Sequence, residues 1–294
     1  MAATLPRLLE RRHQASDRIH GGDIPRAAGI LGALSSYAEL VSRLRAAGCV
    51  FAEDEARLLL AAADEPDDLE RLVQRRVGGE PLEYVLGWAE FCGLRIAVKT
   101  GVFVPRRRTE FLVEQAVRLA KSGDTVVDLC CGSGAIAAAV ADVVVVLELY
   151  ATDLDPVAVR CAARNLERTD LVYAGDLYEP LPAALKGRVD LLVCNAPYVP
   201  TNAIDFMPAE ARLHETRSAL VGGPDGLDIQ RRVAAEAPSW LAPAGHLLIE
   251  TSVDQAPLTR AAFEEAGLTA TIAHSAELEA TVVVGQRPSP EADA

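Results

Sequence analysis

No apolar stretch in this 294-residue sequence is both long enough and free enough of charge to cross a bilayer, which argues against a helical membrane-spanning chain. Residues 1–13 carry Arg7, Arg11 and Arg12 without the unbroken apolar core of a secretory leader, and the expectation is a cytoplasmic protein. The six cysteines, at positions 49, 92, 130, 131, 161 and 194, contain no C-x-x-C pair. They are expected to be small apolar residues of a reducing compartment, with neither a metal site nor a disulfide framework. An excess of basic charge is also missing. The formal net charge is −13, so the average field repels a phosphate backbone and nucleic acid becomes the less expected partner.

What is present is a change of rhythm along the chain. From 35 to 76 apolar residues recur at helical spacing, as in Tyr37-Leu40-Val41-Leu44 and Ala56-Leu59-Leu60-Ala63, with no strand-like alternation. This predicts a helical domain over 35–80. Before it, residues 1–34 form an Arg-rich, Gly-punctuated extension with one candidate helix at 5–15, whose order the pattern leaves open. Gly78-Gly79-Glu80-Pro81 stops the helices, and alternation from Phe91 to Val104 predicts a β-hairpin within a linker over 81–108. From 109 to 287 strand and helix patterns alternate, with apolar strands at 125–130, 147–152, 189–194 and 246–250 and helices at 110–120, 134–141, 156–168 and 227–237. Parallel strands buried on both faces have this pattern, which predicts an α/β domain. Residues 269–287 suit two further strands, an antiparallel pair at the sheet edge, and 288–294 forms a tail.

Asp128-Leu129-Cys130-Cys131-Gly132-Ser133-Gly134 takes a strand into a glycine loop that opens a helix. Glycine there lets the backbone turn tightly and approach a ligand with no Cβ in the way. Asp153 ends the next strand about 20 residues on, where a carboxylate accepts from ribose hydroxyls. Together these indicate an adenosine-type ligand. A dinucleotide enzyme needs a third glycine where Ala137 stands, and Asp128 is badly placed for a phosphate. A phosphate-free cation such as S-adenosylmethionine suits an acidic strand end better. Gly175-Asp176-Leu177 ends a third strand, where Asp176 can accept from an adenine amine.

Asn195-Ala196-Pro197-Tyr198 closes the fourth strand. An amide nitrogen is a poor nucleophile because its lone pair is delocalised into the carbonyl. A site that methylates it should offer acceptors to its NH₂, hold it in line and exclude water. Asn195 can supply a side-chain oxygen, residue 196 a carbonyl, Tyr198 a flat wall and Pro197 a stiff turn.

In register along the chain, these motifs resemble the protein-glutamine methyltransferases of the HemK/PrmC type. The resemblance takes in Arg75 to Gly87, Val104-Pro105-Arg106-Arg107-Arg108-Thr109-Glu110, the Asp128–Gly134 loop, Asp153, Asp176, Asn195 to Tyr198, and Leu220-Val221-Gly222-Gly223-Pro224-Asp225-Gly226-Leu227. It implies a Rossmann-like, seven-stranded class I methyltransferase domain behind a helical substrate-recognition domain and a linking hairpin. It further implies that Asp128, Cys130, Cys131, Gly132, Ser133, Gly134, Asp153, Asp176, Leu177 and Asn195 bind S-adenosylmethionine, and that Asn195, Ala196, Pro197 and Tyr198 hold the acceptor glutamine. Asn195, Pro197 and Tyr198 carry catalysis in this reading. The implied protein partner is a peptide-chain release factor, at its Gly-Gly-Gln motif, or a ribosomal protein. Three departures stand out: Ala196 for the first proline of N-P-P-Y, Cys130-Cys131 in the cofactor loop, and Arg107-Arg108 in the P-R-P-x-T-E stretch. The arginine run is either a solvated charge run or a contact for an acidic or phosphate-bearing acceptor. Two other functions remain open at this point: methylation of an exocyclic adenine amine, which offers a similar planar NH₂, and a cofactor- or partner-binding module without catalysis.

Overall fold

The computed structural model describes residues 37–145, 148–167 and 170–289. The extension over 1–34 with its candidate helix, the end of the helix expected at 156–168, and the last five residues of the tail lie outside them.

Among the described residues four helices come first: α1 (Tyr37–Ala46), α2 (Ala52–Ala62), α3 (Pro66–Val77) and α4 (Leu82–Leu86). Pro66 starts α3 at the position where a missing N–H costs nothing. Leu40, Leu44, Ala56, Leu59, Leu69 and Val73 share one buried cluster, and the helical spacing in the sequence is the spacing of these core positions. Val85 of α4 packs into the same cluster, so the helical layer continues past the Gly78-Gly79 stop. Arg76 is buried with Glu55, its Nε 2.6 Å from Oε2, and reaches Glu210 far along the chain at 2.6 Å. That second contact ties the helical layer to the α/β domain.

The hairpin is β1 (Trp88–Phe91) and β2 (Leu94–Ala97). Cys92 and Gly93 both adopt positive φ, 52° and 76°, as a two-residue turn matched to strand twist requires. The alternation from Val98 to Val104 does not form a strand, contrary to the sequence reading. That stretch finds no strand partner among the described residues and runs extended along the α/β domain, with a single bridge from Gly101 to Glu215.

The α/β domain holds α5 (Glu110–Leu119), β3 (Thr125–Leu129), α6 (Ala135–Val143), β4 (Glu148–Asp153), α7 (Pro156–Asn165), β5 (Val172–Ala174), β6 (Val189–Cys194), α8 (Ala209–His214), α9 (Asp228–Trp240), β7 (Leu241–Thr251), α10 (Ala256–Glu265), β8 (Thr269–Ser275) and β9 (Ala280–Gln286). The seven strands are ordered β5-β4-β3-β6-β7-β9-β8. The first five are parallel, and β9 runs antiparallel to both β7 and β8, the expected closing pair. Every residue of β3 is buried, and separate apolar clusters cover the two faces of the sheet. Strand order reverses at β3, which has β4 on one side and β6 on the other. The carboxyl ends of strands at such a reversal open a crevice, the usual ligand position in an α/β sheet. Among the described residues no helix is long and apolar enough to cross a membrane.

Candidate active site

A cavity of about 340 Å³ opens at that reversal, lined from the ends of β3, β4 and β6, the turn after β5, and the linker over 101–109. One end is acidic. Asp153 Oδ2 accepts the Gly132 N–H at 2.8 Å and Oδ1 accepts the Asp155 N–H at 2.8 Å, which straps the glycine loop to β4. Burial raises the Asp153 carboxyl above its usual range against those two N–H donors. Each of its oxygens keeps acceptor capacity beyond the one bond it makes, enough for a pair of vicinal hydroxyls. Cys130, Gly132 and Gly134 take positive φ, and a Cβ on Gly134 would meet Ala162 Cβ at 3.0 Å. The Gly134 N–H is spent on the Cys131 carbonyl at 2.7 Å and the Gly132 N–H on Asp153. These two loop amides are therefore not free to cradle a phosphate, which fits a phosphate-free cation better than a dinucleotide.

Of the expected cofactor residues, Cys130, Cys131, Gly132, Ser133, Asp153, Asp176, Leu177 and Asn195 line this cavity, while Asp128 and Gly134 do not. Asp128 is wholly buried beneath the loop, with Oδ2 3.2 Å from the Ala137 N–H and Oδ1 without a partner among the described residues. Burial pushes its carboxyl up to about 8. Asp176 reaches the cavity but pairs with Arg232 at 2.7 Å, which occupies one of its oxygens. Leu177 takes a positive φ of 50°, and its carbonyl accepts the Thr152 hydroxyl at 2.9 Å. A residue the sequence reading passed over, Asn165, donates to the Ser133 carbonyl at 2.8 Å and bonds both backbone groups of Ala97, clamping the hairpin to the loop.

At the other end Asn195, Ala196, Pro197 and Tyr198 line the cavity together. Asn195 Nδ2 donates to Thr109 Oγ1 at 3.3 Å, and the Tyr198 hydroxyl donates to Glu250 Oε1 at 3.3 Å. The turn is gripped from behind. Val199 N donates to the Leu220 carbonyl, Gly222 N to the Val199 carbonyl, and Gln255 Nε2 to the Tyr198 carbonyl. A Cβ on Gly222 would stand 2.4 Å from the Pro197 carbonyl oxygen, and one on Gly226 would stand 2.2 Å from that of Tyr198. Glycine at 222 and 226 is thus a condition of the close backbone approach. Gly222→Ala is expected to cost about 1–3 kcal/mol, a fall of roughly 3–10 °C in the melting midpoint. A melting curve within 1 °C of the unaltered chain would contradict this packing.

Arg107 and Arg108 are exposed, as a solvated charge run would be, and two of the three arginines also meet buried acids. Arg106 pairs with Glu215 at 2.5 Å and Arg108 with Glu250 at 3.4 Å, both carboxylates being almost fully buried. Glu215 also accepts the Val104 N–H at 3.1 Å, so the pair fastens the linker over the cavity. Arg108 lies 5.8 Å from the Tyr198 ring centroid, in cation–π range. Two of the three arginines are thus counter-ions of buried acids rather than a free patch for an anionic acceptor. Thr109, Glu250 and Gln255 were not among the expected site residues. One signal was available for Glu250: a lone charged residue at the carboxyl end of an apolar parallel strand. Among the described residues no group of three or more His, Cys, Asp or Glu is placed to hold a metal ion.

Comparison with known proteins agrees with this geometry. The family model described as "Methyltransferase small domain" matches residues 93–226. The release factor glutamine methyltransferase of Geobacter sulfurreducens is 40% identical over 199 residues, covering 67% of this chain and 69% of that protein. The one from Xylella fastidiosa strain 9a5c is 39% identical over 238 residues, 78% of this chain and 84% of its own length. A methyltransferase structure from Pyrococcus furiosus is similar in fold, with a TM-score of 0.50 at 15% identity over 67% of this chain and 90% of that one. Identity at this level over 69% and 84% of two relatives' lengths decides the family: the chain belongs to the release factor glutamine methyltransferases.

Proposed function

We propose that this chain transfers the methyl group of S-adenosylmethionine to the side-chain amide nitrogen of the glutamine in the Gly-Gly-Gln motif of a peptide-chain release factor. The observation that carries this reading is Asn195. Its Nδ2 is taken by Thr109, which leaves Oδ1 as the group offered to the cavity. A side-chain oxygen there accepts one N–H of the incoming amide, and the Ala196 carbonyl at the same strand end accepts the other. Tyr198 gives the planar amide a wall, and Pro197 limits how far the turn can yield. The substitution of Ala196 for proline leaves the backbone carbonyl in place, and the residue itself is buried.

Cys130 to Ser133, Asp153 and Leu177 would hold the cofactor, which supplies an electrophilic methyl on a cationic sulfur. The residues around the acceptor do the rest by position: they fix the amide nitrogen and exclude water, and no general base is required. The proton leaves the nitrogen after it has gained the methyl and become cationic. The helical layer, joined to α8 through Arg76 and Glu210, is the part of the chain that would hold the body of the release factor.

The test is methyl transfer from labelled S-adenosylmethionine to purified release factors, beside the same factors with the motif glutamine changed to alanine and a ribosomal protein as a control acceptor. Label confined to the glutamine-bearing release factor is the expected result. No label on it, with cofactor binding intact by calorimetry, would overturn the choice of acceptor.

A further inference from the structure

Behind the acceptor turn lies an amide side chain that the chemistry above does not use. Gln255 stands between the end of β7 and the start of α10, and it does not line the cavity. Its Nε2 donates to the Tyr198 carbonyl at 2.9 Å and to the Asp225 carbonyl at 2.8 Å, while its Oε1 accepts the Ser252 hydroxyl at 2.9 Å. Backbone carbonyls only accept, so the amide can face them in this sense alone. Ser252 Oγ in turn accepts the Gln255 N–H at 3.2 Å, which fixes the root of the side chain as well as its tip. Both N–H groups of the amide and its oxygen are thus committed.

The two carbonyls belong to separate loops: Tyr198 to the acceptor turn after β6, and Asp225 to the glycine loop before α9. Asp225 is itself anchored, because its carboxylate accepts the Leu227 N–H at 3.1 Å and Arg231 at 2.6 Å. A Cβ on Gly226 would collide with Gln255 Nε2 as well as with the Tyr198 carbonyl, so this glycine keeps open the space in which the three groups meet. The bonds from Leu220 and Gly222 hold Val199, the next residue. The bond from Gln255 reaches Tyr198 itself.

We propose that Gln255 is a positioning residue that holds Tyr198 by its carbonyl, and so fixes where the aromatic wall stands when the acceptor amide is lined up with the methyl group. A displacement of about 1 Å at a reacting centre can cost on the order of 10²-fold in rate, so a bond outside the cavity counts. The proposal rests on the reading of Tyr198 as a wall of the acceptor site, and it adds what keeps that wall in place.

The variants are Gln255→Met, which keeps length without donors, and Gln255→Glu, which keeps shape but as a carboxylate only accepts. The first measurement needs no substrate. With ¹³C on tyrosine carbonyls and ¹⁵N on valine, the sequence gives two linked signals, Tyr84-Val85 and Tyr198-Val199, told apart by Val199→Ile. Both variants are expected to move the Tyr198-Val199 signal and to leave Tyr84-Val85 in place. The second is a double-mutant cycle with Tyr198→Ala, read as methyl transfer to a release factor at a temperature where melting curves show every variant folded. In Gln255→Met kcat is expected to fall about tenfold or more with cofactor affinity kept by calorimetry. Where Tyr198 is already alanine, the same change is expected to cost less than about twofold. A merely structural role would cost the same in both backgrounds. An unmoved Tyr198-Val199 signal in both variants, or equal losses in the two backgrounds, would overturn the proposal. If the unaltered protein methylates no release factor, the functional reading fails, and the Tyr198-Val199 signal still decides whether Gln255 holds Tyr198.

Discussion

Asn195→Ala is expected to slow methyl transfer about 10²–10³-fold, the cost of removing one preorganised hydrogen-bonding group from a reacting centre. The alanine removes the side-chain oxygen that Asn195 offers to the amide but leaves the Asn195 backbone, the Ala196 carbonyl and the Tyr198 wall in place. In the proposed reading the glycine loop and Asp153 carry most of the cofactor binding, at the other end of the cavity, so that binding should remain measurable by calorimetry. The expected signature is therefore a loss in kcat with cofactor affinity largely kept. Turnover within a few-fold of the unaltered enzyme would remove Asn195 from the acceptor site.

Asp128→Asn is expected to change the pH profile of stability strongly. The Asp128 carboxyl is pushed up to about 8 by burial and by the charge of Asp153, with only the Ala137 N–H opposing, against the usual 3.8. Between these values the folded state holds a proton that the unfolded chain has released. The contribution is fully present below the lower value and is lost as pH rises through the upper one, a swing of up to about 6 kcal/mol. An asparagine cannot ionise and has no such swing. The variant should therefore melt roughly 10 °C or more above the unaltered chain at pH 9, with the difference closing toward pH 5. Parallel profiles across pH 5, 7 and 9 would show that Asp128 is not the buried titrating group. A cationic ligand above the loop favours the charged carboxylate, so cofactor affinity should rise with pH up to about 8 and lose that rise in Asp128→Asn.

The site divides according to how local its requirements are. The glycine loop could be read from the chain because its demands are met within a few residues: positive φ at Gly132 and Gly134 and the approach of one helix. That Asn195, Ala196, Pro197 and Tyr198 act together was legible for the same reason, their being consecutive, and the four do line one cavity. The hairpin was readable as a hairpin but misplaced by a few residues. The alternation from Val98 to Val104 resembles a strand, but among the described residues it meets a neighbour only at the Gly101–Glu215 bridge and stays a linker.

The groups that support the acceptor turn could not be read this way. Arg108 meets Glu250 across 142 positions, Val104 meets Glu215 across 111, and Asn195 meets Thr109 across 86. Three arginines in a row looked alike in sequence; folding gave two of them buried acids from distant strands and turns. The glycines at 222 and 226 could be matched as a pattern, but their reason, carbonyl oxygens of Pro197 and Tyr198 pressed against them, exists only after β6 and the following loop have come together. The sequence by itself determined what depends on neighbouring residues: the order of helices and strands, the backbone freedom of the cofactor loop and the chemical types at the acceptor turn. The tertiary structure alone decided the burial of Asp128, the pairing of the arginines and the meeting of Asn195 with Thr109. These are settled by burial and by donors and acceptors brought together from far apart in the chain, which no local pattern encodes.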